Sequence, residues 1–169
     1  MVLASVLFMK KMSDIVEEQL TGGSVGSFAR EEAWEDEASI SEEVRQQVYI
    51  KRFDGPVFFG FVSTLQERIS VLPEVTVVIL RMRQVPYIDQ SGIYAIEDAV
   101  LALKERGIIV LMTGVQQQPR DMFGNVGLIS GLIPDEHVFE RFSHCISALE
   151  AGTVKPDPGK HKNIVWRLN

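Results

Sequence analysis

The stretch that decides the fold is residues 85–93, which read Val-Pro-Tyr-Ile-Asp-Gln-Ser-Gly-Ile. Residues 75–80, just before it, are nearly all apolar and rich in β-branched side chains, which predicts a strand buried on both faces of a parallel sheet. After it, apolar side chains recur at helical spacing and charged ones take the other side, which predicts a helix from Ser91 to Arg106. We therefore expect a strand, a turn and a helix start.

The turn consists of Asp89, Gln90, Ser91 and Gly92. Asp89 and Ser91 can accept hydrogen bonds from the free amides of the first helical turn, and Gly92 lets the backbone bend or approach a neighbour closely. Two interpretations are open. The turn could cap the helix and do nothing more, or the Ser91 hydroxyl could be an exposed phosphorylation site, where a phosphoryl group would add a charge of about −1.5 to −2.

The composition predicts one domain in a reducing compartment. A chain of 169 residues with 46% hydrophobic content can bury one ordinary core. Its single cysteine, Cys145, excludes an internal disulfide and a multi-cysteine metal site. The net charge is −6, and residues 13–44 hold ten acidic residues against one arginine. The predicted domain that follows is near neutral, so we expect no nucleic-acid partner.

Strand and helix patterns alternate along this domain. An Asp54-Gly55-Pro56 turn between two strand patterns predicts a hairpin. The alternation that follows predicts right-handed parallel crossovers, and therefore an α/β fold with a mostly parallel sheet flanked by helices. The hairpin would make that sheet mixed. The predicted segments are strands at residues 48–53 and 57–59, a helix at 61–71, strands from 75 and at 108–112, and the Ser91 helix, capped by Gly107.

The last third of the domain is less regular. Pro119 can open a short helix at its first position, running towards Asn125 or Gly127. Residues 128–133 are apolar but interrupted by glycine, so their class stays open. Residues 138–139 predict a short edge strand, and a final helix carries Phe142, Cys145, Ile146 and Leu149 on one face.

Both ends of the chain lie outside the predicted domain. Residues 1–9 are almost wholly apolar and Lys10-Lys11 follows, which matches either the cytoplasmic end of a membrane helix or an amphipathic helix packed on protein. The predicted organisation is a leader at residues 1–12, an acidic flexible linker at 13–44, the domain at 45–152 and an extended tail at 153–169.

Several kinds of chemistry have no motif here. The sequence contains no Walker phosphate loop, no Gly-x-Gly-x-x-Gly turn and no His-Glu-x-x-His helix. His137, His144 and His161 are not spaced as metal ligands, and no nucleophile is accompanied by a base and an orienting group. We therefore expect no enzyme activity, no catalytic residues, no metal site and no cofactor.

The chain resembles the STAS domain of anti-sigma-factor antagonists and SulP-type anion transporters, and two further stretches point to the transporter branch. Residues 88–92, Ile-Asp-Gln-Ser-Gly, carry the resemblance to the family as a whole, which spans roughly residues 48–151. Residues 53–59, Phe-Asp-Gly-Pro-Val-Phe-Phe, are similar to the motif that opens the transporter domains. Residues 3–12 look like the end of a SulP transporter's final membrane helix, which favours the membrane-helix interpretation of the leader.

The resemblance implies a mixed sheet with helices on its faces and a regulatory role. In the antagonists, the serine that matches Ser91 is phosphorylated by a partner kinase, which switches binding to a protein partner. In the transporters, the domain lies on the cytoplasmic face of the inner membrane and affects assembly, trafficking and transport. Here Gln90 departs from the antagonists' usual Asp-Ser-Ser-Gly, so a cognate kinase is not implied.

The expected function is thus the cytoplasmic regulatory domain of a bacterial SulP-type transporter for sulfate, bicarbonate or a dicarboxylate. Its expected partners are the transporter's own transmembrane domain, in an oligomer, and a cytosolic regulatory protein or kinase at Asp89, Gln90, Ser91 and Gly92. The alternative is a free-standing anti-sigma-factor antagonist. A weaker one is nucleotide binding near Ser91, Thr113 and Gly114.

Overall fold

The computed structural model describes residues 34–38, 40–58, 72 and 74–154. Apart from Trp34, these residues belong to one compact unit, Glu35–Asn169. Within them the sheet has four strands in the order β1-β2-β3-β4, and every pair is parallel. The strands are β1 (Val48–Asp54), β2 (Val77–Gln84), β3 (Ile109–Thr113) and β4 (Val138–Phe139). The α/β fold class is therefore confirmed.

Helices cover both faces of the sheet. The described ranges contain α1 (Glu42–Gln47), α2 (Gln90–Glu105), α3 (Gln117–Asn125) and α4 (Phe142–Glu150), with short 3-10 turns at Glu35–Glu37 and Asp135–His137. α2 confirms the helix predicted after the Asp89 turn, although it begins one residue earlier. None of the helices in these ranges combines the length and the apolar character that a membrane crossing requires.

The central strand β2 sends alternate side chains to two opposite faces of the sheet, each of which is covered. Its first six residues are buried, as a strand covered on both faces requires. On one side, which we call the α2 face, Val78, Leu80 and Met82 belong to the same buried cluster as Ile96 and Leu103 of α2. On the other, the α4 face, a second cluster holds Val77, Ile79, Leu111, Phe142, Cys145 and Ile146.

The predicted hairpin at residues 54–56 is wrong. Val57 forms a parallel bridge with Ile88 and does not turn back to pair with β1. Gly55 has a φ of 81°, and its N–H donates to the Gln84 carbonyl at 3.1 Å. The segment after β1 therefore continues in the direction of β1 and bonds the free backbone groups beyond β2. The described sheet is parallel throughout.

Residues 128–133, whose secondary structure the sequence did not decide, form a turn segment. Its two ends meet in a bridge between Ile129 and Ile133, both buried, and Leu128 is fully buried beside them. The leader, the predicted helix at 61–71 and residues 155–169 of the tail lie outside the described residues. The division into leader, linker, domain and tail stays a prediction.

Part of the stretch predicted to be a solvated acidic linker packs on the domain. Glu37, in the first 3-10 turn, is only 3% exposed, and Ile40 and Val44 pack against the cluster of the α4 face. Charge contributes as well as this apolar packing, because two arginines of the sheet, Arg52 and Arg81, contact the Glu37 carboxylate.

Candidate functional site

Asp89 organises the turn between β2 and α2. Its backbone is extended, with φ −93° and ψ 176°, and its side chain caps the helix. The Oδ1 atom accepts the Gly92 N–H at 2.8 Å and the Ser91 hydroxyl at 2.7 Å. The predicted cap is therefore confirmed for Asp89, whereas the Ser91 hydroxyl donates to the cap and does not accept from an amide.

Gly92 is required by a close approach. A Cβ atom at this position would lie 2.8 Å from the Val57 carbonyl oxygen and 2.9 Å from Ile88 Cγ1. Real Cβ contacts essentially never come that close, so any larger residue has to displace the backbone of residue 57. The same carbonyl accepts the Asp89 N–H at 3.3 Å, which fixes the segment at Val57 against the helix start.

Ser91 is half-buried at the first turn of α2, and its neighbour Gln90 is exposed. A phosphoryl group on Ser91 would benefit from the free amides and dipole of the helix N-terminus. It would also remove the hydrogen bond from the Ser91 hydroxyl to Asp89 and place the phosphoryl group beside the negatively charged Asp89 carboxylate. Modification would therefore change the local electrostatics of this turn without adding bulk to the core.

Aromatic side chains flank the turn and form a rim, which we define as half-buried Phe58 with exposed Tyr87 and Tyr94. Tyr87 and Tyr94 are 48% and 51% exposed, unusually high for large apolar residues of this domain. The Phe58 and Tyr87 rings lie 5.8 Å apart, and the Tyr94 hydroxyl accepts a hydrogen bond from Gln90 Nε2 at 2.9 Å. Exposed aromatic groups of this kind are favourable anchors for a protein partner.

Gln118 of α3 ties a second helix to the same corner. Its Oε1 atom accepts the Ile88 N–H at 3.0 Å, and its Nε2 atom donates to the Ile88 carbonyl at 3.1 Å. The amide side chain thus satisfies both backbone groups of a fully buried residue. Sequence reasoning missed Gln118, because nothing local in Gln116-Gln117-Gln118 distinguishes the one that faces inward.

The nucleotide candidates lie after β2 and at the end of β3. Thr113 is buried and in register with Arg81, so its side chain is directed to the α4 face, whereas Ser91 lies in the first turn of α2, on the α2 face. Gly114 has a φ of 68° and donates its N–H to the Phe139 carbonyl at 3.0 Å. Within the described ranges no group of three or more His, Cys, Asp or Glu side chains could hold a metal ion.

A buried charge cluster on the α4 face also escaped sequence reasoning. The Arg81 guanidinium is 1% exposed and donates to Asp36 at 2.6 and 2.9 Å and to Glu37 at 2.5 Å. It lies 4.0 Å from the centre of the Phe142 ring. Arg52 Nε donates to the Glu37 carboxylate at 2.9 Å. The sequence feature that indicates this cluster is an arginine inside the apolar strand Val77–Gln84, because a buried arginine needs carboxylates as partners.

The family model of the STAS domain matches residues 39–143, more than half of the chain. This chain belongs to the STAS domain family. A comparison with curated protein sequences found no match.

Solved structures with the same fold include STAS domains of transporters. A sulfate transporter family protein from Wolinella succinogenes is 30% identical with a TM-score of 0.58, over 62% of this chain and 86% of that one. The SulP transporter STAS domain from Vibrio cholerae is 25% identical with a TM-score of 0.57, over 64% of this chain and 84% of that one.

A different class of STAS protein has the same fold. The anti-sigma factor antagonist SpoIIAA in its unphosphorylated form is 17% identical with a TM-score of 0.52, over 64% of this chain and 92% of that one. At this identity the likeness concerns the fold alone. The STAS domain described here is therefore similar both to SulP transporter domains and to an anti-sigma factor antagonist.

Proposed function

We propose that this STAS domain is the cytoplasmic regulatory and protein-interaction module of a bacterial SulP-type anion transporter. The observation that carries the proposal is its similarity to two transporter proteins, at 30% and 25% identity. The match extends over 86% and 84% of those chains, so it involves nearly the whole of each and not one shared motif.

The leader supports the same assignment from outside the domain. Residues 1–9 followed by Lys10-Lys11 have the order expected at the cytoplasmic end of a membrane helix. In this proposal the transporter's own transmembrane part precedes the domain, at the cytoplasmic face of the inner membrane, and carries sulfate, bicarbonate or a dicarboxylate.

The reading frame upstream of the Met1 codon tests the transporter assignment. A transporter gene would continue upstream through a series of apolar spans of about 20 residues each. A stop codon in frame directly upstream, with a ribosome-binding site before Met1, would contradict the proposal and favour a free-standing antagonist.

The proposed contact surface is the Asp89–Gly92 turn with its aromatic rim. The proposal is supported by two exposed tyrosines that lie beside a serine in the first turn of a helix. A phosphoryl group added to that serine would change the charge that a docked protein contacts. Ser91 is the proposed phosphoacceptor. The partner is either the transmembrane part of the transporter or a cytosolic regulatory protein or kinase.

Site-specific cross-linking in cells tests this surface. We expect a photoreactive side chain at Tyr94 of the full-length protein to capture a partner, and the additional substitution Ser91→Glu to reduce the yield. The matched control is the same group at Ser147, which is exposed on α4 at the opposite face. Equal yields at both positions, or no effect of Ser91→Glu, would contradict the assignment of the surface.

The alternative function is a phosphorylation-controlled antagonist in sigma-factor regulation. The observation in its favour is Ser91, which stands at the capped helix start that the family resemblance links to phosphorylation in antagonists. Intact mass measurement of the protein from its source cells distinguishes the two. A fraction carrying one phosphoryl group at Ser91, in a chain with no membrane part, would favour the antagonist.

A further inference from the structure

The charge cluster on the α4 face holds the chain that enters the domain. We call its four members, Asp36, Glu37, Arg52 and Arg81, the latch. Asp36 and Glu37 come from the entering segment, whereas Arg52 and Arg81 are neighbours in register on β1 and β2. The latch therefore joins the entering segment directly to the two strands that begin the sheet.

Side chains attach this segment more firmly than its backbone does. The Ala38 N–H donates to the Glu35 carbonyl and the Ile40 N–H to the Glu37 carbonyl, so both bonds stay within the segment. The Asp36 and Glu37 side chains accept charge-assisted bonds from the sheet, from Arg81 to both carboxylates and from Arg52 to Glu37. Bonds of this kind are strong and directional, so their loss would weaken the attachment of the Glu35–Glu37 turn to the sheet.

The two carboxylates differ in their access to water. Asp36 is 42% exposed, and Glu37 is only 3% exposed. Water can therefore compete for the outer pair, while the inner pair is sheltered. Once the outer pair is open, release still requires the Glu37 carboxylate to leave Arg52 and Arg81 and the Glu37 carbonyl to leave the Arg45 side chain.

We propose that the latch opens as a local unit, releasing the Glu35–Glu37 turn while Ile40, α1 and the sheet stay packed. The closed latch places that segment on the α4 face, opposite the Ser91 turn, and opening frees it from Arg52 and Arg81. The Glu35–Glu37 turn thus has an attached and a released state. The inference does not rest on the proposed function, because it concerns the attachment of the segment whatever precedes it.

Two buried residues of the α4 face allow a direct test on the full chain. Phenylglyoxal modifies arginine, and iodoacetamide alkylates Cys145, which is fully buried and the sole cysteine. Peptide mapping gives the rate at Arg81 and at Cys145. Each rate, divided by that of the same reagent on the denatured chain, gives the fraction of time for which the site is open.

We expect Arg81 in the wild type to be open at least about tenfold more often than Cys145, since local openings are more frequent than global ones. Asp36→Asn should raise the opening at Arg81 by a further factor of about ten, equivalent to about 1.4 kcal/mol, and leave Cys145 unchanged. Glu35→Gln is the matched control, because it removes an exposed carboxylate of the same turn, and it should change neither rate.

Equal opening of Arg81 and Cys145 in the wild type would overturn the proposal, because the latch would then open only with the whole domain. The same holds if Asp36→Asn raises both openings by one common factor, or raises neither. The wild-type comparison stands by itself even if a variant folds poorly.

Discussion

Gly92 and Val57 are in such close contact that a Cβ atom at residue 92 would lie 2.8 Å from the Val57 carbonyl oxygen. This contact seats the start of α2 against the segment that follows β1. It explains why the turn carries a glycine at a helical position, where glycine is otherwise unfavourable.

Gly92→Ala should lower the free energy of unfolding by about 1–3 kcal/mol, the usual cost of forcing an extra methyl group into a packed site. Gly124 in α3 is the matched control, because a Cβ there meets nothing within 4 Å. Gly124→Ala should be neutral or stabilise by up to about 1 kcal/mol. Urea unfolding measures both, and equal values for the two variants would contradict the contact.

Ser91→Glu should keep the fold. The new carboxylate is repelled by Asp89 but favoured by the helix dipole, so we expect the free energy of unfolding to fall by no more than about 1 kcal/mol. Asp89→Ala removes the cap itself and should cost about 0.5–2 kcal/mol. Ser91→Ala controls for loss of the hydroxyl without added charge. A non-cooperative thermal melt of Ser91→Glu would refute this reading of the turn.

Gln118→Ala should destabilise the domain more than an ordinary surface substitution. It leaves the N–H and the carbonyl of buried Ile88 without their partner, and each unsatisfied group costs about 1–3 kcal/mol. Gln117→Ala is the neighbouring control, since Gln117 is exposed and bonds Asp121. We expect it to stay within about 0.5 kcal/mol of wild type in chemical denaturation.

Acid should weaken the latch. The hydrogen bond from Arg81 holds the pKa of Asp36 below its ordinary value of 3.8, against burial, which raises it. Since the folded-state pKa is the lower one, Asp36 stabilises the fold at pH values above the unfolded pKa, and this contribution disappears as the pH falls through the folded pKa.

Urea unfolding over a pH series tests this linkage. Asp36→Asn should be less stable than wild type near neutral pH, and the difference should shrink below about pH 4, where the unfolded carboxyl protonates. The difference between Glu35→Gln and wild type serves as the control. A constant gap between Asp36→Asn and wild type down to acid unfolding would show that the Asp36 charge is not the stabilising feature.

Calorimetric titration with GTP and ATP should give no heat of binding. Ser91 follows β2 and starts the helix on the α2 face, whereas Thr113 ends β3 with a buried side chain directed to the α4 face. A saturable heat that Ser91→Glu abolishes would establish the nucleotide alternative and overturn this expectation.

The strand, turn and helix around Asp89 could be predicted because their signals are local. A buried strand, a capping aspartate and a helical apolar face all lie within about 30 residues of sequence and need no distant partner. The same holds for β3, whose five residues follow the expected pattern of a buried strand. The cap differs only in that Ser91 donates its hydroxyl to Asp89.

The features that the sequence did not predict correctly have one physical origin. In each case, contacts with residues far away in the sequence decide which of several locally possible conformations forms. The Asp54-Gly55 pair is a genuine turn signal, but the free backbone groups beyond β2 capture Val57, 31 residues away at Ile88. Arg81 finds its carboxylates 44 and 45 residues earlier, in a stretch whose composition is typical of a solvated linker. The face on which Thr113 lies is likewise set by its register with Arg81.

The separation of the latch and the Ser91 turn by a single sheet has a consequence for how such a domain can change over generations. Substitutions around Glu37 act on the attachment of the Glu35–Glu37 turn, and those around Tyr94 act on the proposed contact surface, with β2 standing between them. Under the proposed function, attachment and recognition can therefore diverge independently during evolution, and one scaffold can acquire a new host chain while it keeps an old partner.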